Sequence, residues 1–263
     1  MVSRSFALQL LRRRPLSYTV LVVFILDRSL SMMEPKTYDY RGKWFHLADL
    51  VEMLLRRLGR SRMAPAFQVG FVWYSDDVEI VEQDGRVYFP VSPRNVALEV
   101  FRQSLERNRP YGMTAMADAL EAAASVVERY VNQLTLPPEK YGTIFLFTDG
   151  KETKRSVDDV VAAAEKITMD LAERMRRLHE RNRIGLATIA LGQDADRETL
   201  RDIASFLREA QRRVLEERGL IDLVDPPYHE KMFIDAPADD RISREWEEAV
   251  RRFVERLSET ATV

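Results

Sequence analysis

The chain has 263 residues, 40 basic and 42 acidic side chains, a formal net charge of −2 and 46% apolar residues, the mix of an ordinary folded protein. That charge balance argues against a protein whose main business is gripping phosphate backbones. No cysteine is present, which excludes disulfides, thiolate metal sites, iron–sulfur clusters and cysteine nucleophiles. The three histidines, His46, His179 and His229, are too scattered for a histidine-rich zinc site.

Residues 1–15 form an arginine-rich lead-in that includes Arg12-Arg-Arg14, read as a solvated cluster rather than a nucleic-acid patch. Residues 16–263 are read as one domain. Its first apolar run, Val20–Leu26, is far shorter than the roughly 20 residues that span a bilayer. Asp27 directly after it fits a strand end better than a secretory signal, so the expected setting is the cytoplasm, away from membranes. The run is continuously apolar and β-branched, as in a strand buried on both faces. Leu47, Leu50, Val51, Leu54, Leu55 and Leu58 then recur at helical steps.

Phe67–Tyr74 reads as a second buried strand. Val78–Glu82 and Arg86–Phe89 flank Asp84-Gly85 and read as a hairpin. Ser92 before Pro93 predicts a helix start. Thr143–Thr148 predicts another strand, and Ser156-Val-Asp-Asp159 a capping box with Asp in the Glu position. A helix carrying Val160, Ala164, Ile167, Leu171, Met175 and Leu178 follows, then a strand at Ile184–Leu191. Arg208–Tyr228 begins as a charged helix and ends in Asp225-Pro-Pro227, which cannot continue it. A weaker strand at Lys231–Asp235 precedes a helix over 241–259, whose apolar stripe is Ile242, Trp246, Val250, Phe253 and Leu257. Strands alternating with helices predict an α/β fold: a doubly wound, mostly parallel six-stranded sheet with helices on both faces and an antiparallel edge hairpin.

In such a sheet, ligands bind beyond the carboxyl ends of the strands. Asp27-Arg-Ser29-Leu-Ser31 follows the first strand and Asp149-Gly150 follows Thr143–Thr148. Pro110-Tyr-Gly-Met-Thr114-Ala leads into a helix. Together they offer two carboxylates and three hydroxyls, hard oxygen donors that suit Mg²⁺ or Mn²⁺ rather than zinc or copper. In an extended turn Asp27, Ser29 and Ser31 can project the same way. Asp118 is read as supporting its helix's first turn, and Asp76 and Asp77 as a turn. Met32-Met33 fits either an apolar rim beside the ion or the core.

These segments resemble the von Willebrand factor A domain family. Its metal-ion-dependent adhesion site has the form Asp-x-Ser-x-Ser, a distant Thr and a distant Asp usually followed by Gly. Asp27, Ser29, Ser31, Thr114 and Asp149 match all five positions. Thr114-Ala-Met-Ala-Asp118-Ala-Leu and Phe147-Thr-Asp-Gly150 extend the match, which covers roughly Leu16 to Leu257. Leu30, where the family most often has Gly, and the long segment 208–228 depart from its pattern.

The resemblance implies that the serines and the threonine hold Mg²⁺ or Mn²⁺ directly or through water. The aspartates would act largely through water, and an acidic partner side chain would complete the octahedron. Intracellular prokaryotic members of this kind accompany AAA+ ATPases, kinases or phosphatases, some in tellurite-resistance, stress or defence systems. The expectation is therefore a non-enzymatic docking module for a protein that presents Asp or Glu. The alternative is a Mg²⁺-dependent phosphatase or phosphoacceptor domain on a similar sheet. No Gly-rich phosphate loop or Gly-x-Ser-x-Gly elbow occurs.

Overall fold

A computed structural model describes residues 18–33, 42–132, 139–150, 152–176, 183–192, 195–204 and 233–236. The lead-in 1–15, the segment 208–228 and the helix expected over 241–259 lie outside the described residues. Strand β1 (Tyr18–Asp27) leads through a 3-10 turn (Leu30–Met33) toward helix α1 (Lys43–Arg60). Strands β2 (Phe67–Tyr74), β3 (Val78–Ile80) and β4 (Phe89–Pro90) come next. Helices α2 (Val96–Arg107) and α3 (Met116–Val131) precede β5 (Glu139–Thr148). Helix α4 (Val157–Arg176), β6 (Arg183–Leu191), a helical segment at 197–204 and β7 (Phe233–Ala236) complete the described elements. None of the described helices is long and apolar enough to cross a membrane.

The sheet runs β3-β2-β1-β5-β6-β7, with the two-residue β4 also paired to β2. β1 is parallel to both neighbours, Asp27 standing opposite Tyr74 and Leu26 opposite Phe147. The chain leaves β1 for β2 on one side and later crosses to β5 on the other. The order therefore reverses between β1 and β5, where an open α/β sheet leaves its ligand crevice.

β1 shows why its sequence is apolar throughout. Val20, Val22, Phe24 and Leu26 pack into one core with α1 and α2. Leu21, Val23 and Ile25 pack into the other with α3, α4 and residues Leu200 and Ile203. Side chains alternate across a strand, so with helices on both faces every position is buried. The six apolar positions predicted for the first helix are all buried in α1. Phe24 sits 5.8–5.9 Å, ring to ring, from Phe71, Phe145 and Phe147, tying three neighbouring strands together. On the opposite face α3 lies so close to β5 that a Cβ at Gly142 would overlap Val127 Cγ1.

The antiparallel edge is present, with a different pairing from a simple hairpin. Asp84 (φ 52°) and Gly85 (φ 72°) form the turn, both positive as a type I′ turn requires. Beyond the Gln83–Arg86 bridge, however, the flanking runs pair with β2: β3 along Val72–Tyr74 and β4 along Gln68–Val69. The exposed edge of β2 offers a longer ladder than the two short runs offer each other.

Helix α2 starts later than Ser92-Pro93 suggests. Its cap is Asn95, whose side-chain oxygen accepts the Leu98 N–H at 3.1 Å. The Asn95 amide also donates to the Leu55 carbonyl at 2.8 Å, fastening α2 to α1. By contrast the capping box at α4 is as expected. Ser156 N–H donates to Asp159 Oδ2 at 3.0 Å and Asp159 N–H to Ser156 Oγ at 3.2 Å.

Candidate metal centre

Asp27 ends β1 and Asp149 follows β5, so the two central strands bring them side by side at the reversal point. Ser29 N–H donates to Asp27 Oδ1 at 2.7 Å, turning the chain back over the strand end. The 3-10 turn then lifts Ser31 beside Ser29. Their hydroxyl oxygens are 3.0 Å apart, and Ser31 Oγ donates to Asp149 Oδ1 at 2.9 Å. Thr114 arrives on the loop before α3. A Cβ on Gly150 would lie 3.6 Å from Thr114 Oγ1 and 3.9 Å from Ser31 Oγ, so both hydroxyls flank the space beside Gly150. All five expected residues are thus gathered at one place.

Backbone hydrogen bonds set these loops. Leu30 N–H donates to the Gly112 carbonyl at 3.1 Å, and Tyr111 N–H to the Arg28 carbonyl at 2.8 Å. Gly112 has φ 70°, and a Cβ there would collide with the Asp76 carboxylate; only glycine fits. Asp76 Oδ1 in turn accepts the Met113 N–H at 2.9 Å. Asp77 takes the Arg28 guanidinium at 2.9 Å and the Tyr111 hydroxyl. The Asp76–Asp77 turn therefore braces the threonine loop. Asp118 holds the first turn of α3 and pairs with Lys154 and Arg155 at 3.3 and 2.5 Å. Leu30 keeps a negative φ and projects 62% exposed, so its side chain joins the rim without disturbing the turn. Met32 is fully buried while Met33 is 54% exposed, dividing the pair between core and rim.

Several participants lie outside the five expected ligand positions. Thr148 Oγ1 donates to Asp27 Oδ2 at 2.7 Å and accepts the Gly150 N–H at 3.1 Å. Tyr74 donates its hydroxyl to the same Asp27 oxygen at 3.2 Å. Glu152 accepts the Ala117 N–H at 2.9 Å, capping α3 from the next loop, while Thr153 Oγ1 accepts the Thr114 N–H at 2.8 Å. Lys43, the first residue of α1, is fully buried with its ammonium on Asp149 Oδ2. One signal could have found it: a cation at a helix N-terminus opposes the helix dipole, so it needs a specific carboxylate.

Burial pushes the Asp27 carboxyl up to about 6, and the charge of Asp149 adds to the effect. Hydrogen bonds from Thr148 and Ser29 oppose it. Burial, then the charge of Asp27, holds the Tyr74 phenol well above its ordinary value, so it remains a donor. Two buried carboxylates with one ammonium leave a deficit of positive charge. The donor spacing suits an ion that would correct it. With oxygens about 2.1 Å from Mg²⁺, adjacent octahedral ligands stand roughly 3.0 Å apart, as the two serine hydroxyls do. Among the described residues no three His, Cys, Asp or Glu side chains converge. The set is therefore rich in hydroxyls, unlike a carboxylate cage.

A mostly parallel, doubly wound sheet with hydroxyls and carboxylates gathered at its reversal point defines a class of open α/β domain. The von Willebrand factor type A domain model matches residues 22–217, and the chain belongs to that family. Solved structures share the fold at low identity. BatB, a conserved hypothetical protein from Bacteroides thetaiotaomicron, is 13% identical with a TM-score of 0.54, covering 93% of this chain and 100% of that one. An aerotolerance-related membrane protein from Bacteroides fragilis is 15% identical with a TM-score of 0.56, covering 90% and 99%. Manganese-loaded TRAP protein from Plasmodium vivax is 18% identical with a TM-score of 0.53, covering 86% and 72%.

Proposed function

We propose that the chain is a divalent-metal-dependent protein–protein interaction module that docks an acidic side chain of its partner. Asp27, Ser29, Ser31, Thr114 and Asp149 would hold Mg²⁺ or Mn²⁺. The observation that carries this reading is the spacing of 3.0 and 2.9 Å along Ser29, Ser31 and Asp149. Hydrogen bonds link these atoms, and the same distances suit neighbouring oxygen ligands of an octahedral ion. Bound there, the ion would supply an electrophilic position that a carboxylate can fill, because its hydroxyl ligands are neutral. The manganese in TRAP supports the choice of metal class.

The rim fits a protein ligand. Leu30, Met33, Tyr111 and Met113 are 42–62% exposed around these loops, and clustered exposed apolar side chains mark interaction sites. The partner would present Asp or Glu flanked by apolar residues. By resemblance it is an AAA+ ATPase, a kinase or a phosphatase of a prokaryotic stress or defence system, acting in the cytoplasm. A phosphoacceptor role fits the geometry less well. Asp27 is fully buried and both its oxygens already accept hydrogen bonds, so no in-line approach to it is open.

Calorimetric titration with Mn²⁺ tests the site. Wild type should bind one ion, and Thr114→Ala or Asp27→Ala should bind it more weakly while retaining the fold. Equal affinity in all three would refute the reading. Partner capture should be lost in EDTA and in Thr114→Ala. Hydrolysis of a generic phosphate ester that disappears in Asp27→Asn would favour the phosphatase class.

A further inference from the structure

We infer that Lys43 is a built-in counter-ion of the metal centre: it sustains the metal-free site and holds divalent-ion affinity below what the five oxygen donors would give alone. The inference rests on the metal-site reading above. Its observation is the division of labour within Asp149. One carboxylate oxygen, Oδ1, accepts from Ser31 on the hydroxyl side, and the other, Oδ2, takes the Lys43 ammonium. Lys43 is fully buried and Asp149 is 2% exposed, so little water screens the pair.

The position of Lys43 is costly in every respect but one. It opens an 18-residue helix with no acidic residue in the first turn, where the exposed N–H groups already make the end positive. A buried ammonium also loses its hydration. Arg28, the nearby alternative cation, is committed elsewhere, to Asp77 and Glu79 at 2.9 and 3.1 Å. Among the described contacts of the two site carboxylates, Lys43 supplies the formal positive charge. Without it, Asp149 beside Asp27 would stand as a second buried anion.

The same ammonium must oppose a divalent ion. Any ion held by the serines and Asp149 shares that carboxylate with Lys43, and two cations on one buried carboxylate repel strongly. Removing the charge therefore has two effects of opposite sign: the metal-free protein loses stability, and metal binds more tightly. A purely structural lysine predicts the reverse for the metal, since loosening the loop would weaken binding.

The test uses the full chain as wild type, Lys43→Met and Lys43→Gln, the last retaining a polar group should Met fail to fold. Mn²⁺ is titrated by calorimetry and by the electron-spin resonance of the free ion, and unfolding is followed in EDTA. Either folded variant should bind Mn²⁺ at least about tenfold more tightly than wild type, with a lower melting temperature in EDTA. Binding by a variant where wild type is silent would support the inference too. Unchanged or weaker Mn²⁺ binding in a folded variant overturns it and leaves the metal site standing. No binding by any of the three at millimolar Mn²⁺ overturns both readings. Unfolding of both variants even with saturating Mn²⁺ overturns the inference, because the ion should then supply the missing charge.

Discussion

Thr148→Val separates a polar role for the end of β5 from a packing role. The two side chains have nearly the same shape, so the substitution leaves no cavity, and Thr148 is fully buried. What disappears is a hydroxyl that donates to Asp27 Oδ2 at 2.7 Å and accepts the Gly150 N–H at 3.1 Å. A hydrogen bond to a charged group contributes about 1.5–3 kcal/mol and a neutral one about 1 kcal/mol. Asp27 keeps its donors from Ser29 N–H and Tyr74, which holds the loss to roughly 2–4 kcal/mol. In a chain of this size that is a fall of roughly 5–15 °C in melting temperature. Thr148→Ser keeps the hydroxyl and gives up one buried methyl, about 1 kcal/mol. Urea unfolding in EDTA, followed by far-ultraviolet circular dichroism, should rank wild type above Ser and Ser above Val. If Val is as stable as Ser or more so, the hydroxyl does not hold the site.

Gly142→Ala should cost about 1–3 kcal/mol by overpacking against Val127; a double-mutant cycle with Val127→Ala should show a cost below the sum of the single changes, and additivity would sink the idea. Glu152→Ala should cost about 1–2 kcal/mol by uncapping α3, and hydrogen exchange at the Ala117 amide should speed up; an unchanged rate would count against it. Hydrogen bonds from Arg102 hold Glu52 below its ordinary carboxyl value, against the opposing effect of burial and with further help from Arg56. A depressed carboxylate stabilises above its unfolded value and loses that contribution as pH falls through the folded one. Wild type should therefore exceed Glu52→Gln by at most about 1 kcal/mol near neutrality, Arg102 being half exposed, and the two stability curves should converge below about pH 4.

What the sequence shows of this site is what local spacing can show. Asp27, Ser29 and Ser31 fall two apart in one turn, and Asp149 and Thr114 stand at recognisable ends of elements. The reversal of strand order between β1 and β5 then brings them together. The buried faces of α1 and β1 were equally legible, because burial on one side or two leaves a periodic trace. Tertiary choices leave no such trace. Asn95 caps α2 partly because it also reaches Leu55 of α1, and β3 and β4 pair with β2 because its edge is open. Lys43 lies 12 residues beyond Ser31 in the chain, outside the motif's spacing, so only its awkward place at a helix start marks it.

Charge decides what a loaded site of this composition attracts. The Lys43 ammonium sits on Asp149, whose charge in turn acts on the neighbouring Asp27, so with both carboxyls ionised the centre is one charge negative. That sign draws in a cation and repels acidic ligands. A divalent ion would reverse it, leaving one positive charge behind neutral hydroxyls and beneath an apolar rim. A single carboxylate from a partner then returns the centre to neutrality, and burial under Leu30, Met33 and Met113 strengthens that attraction by excluding water. With Lys43 replaced by a neutral residue, the loaded centre would already be neutral, and the electrostatic reason to recruit an acidic partner would fall away. The lysine that weakens the metal would therefore strengthen the dependence of the complex on a partner's carboxylate. Metal and partner should bind cooperatively in wild type, and that coupling should shrink in Lys43→Met.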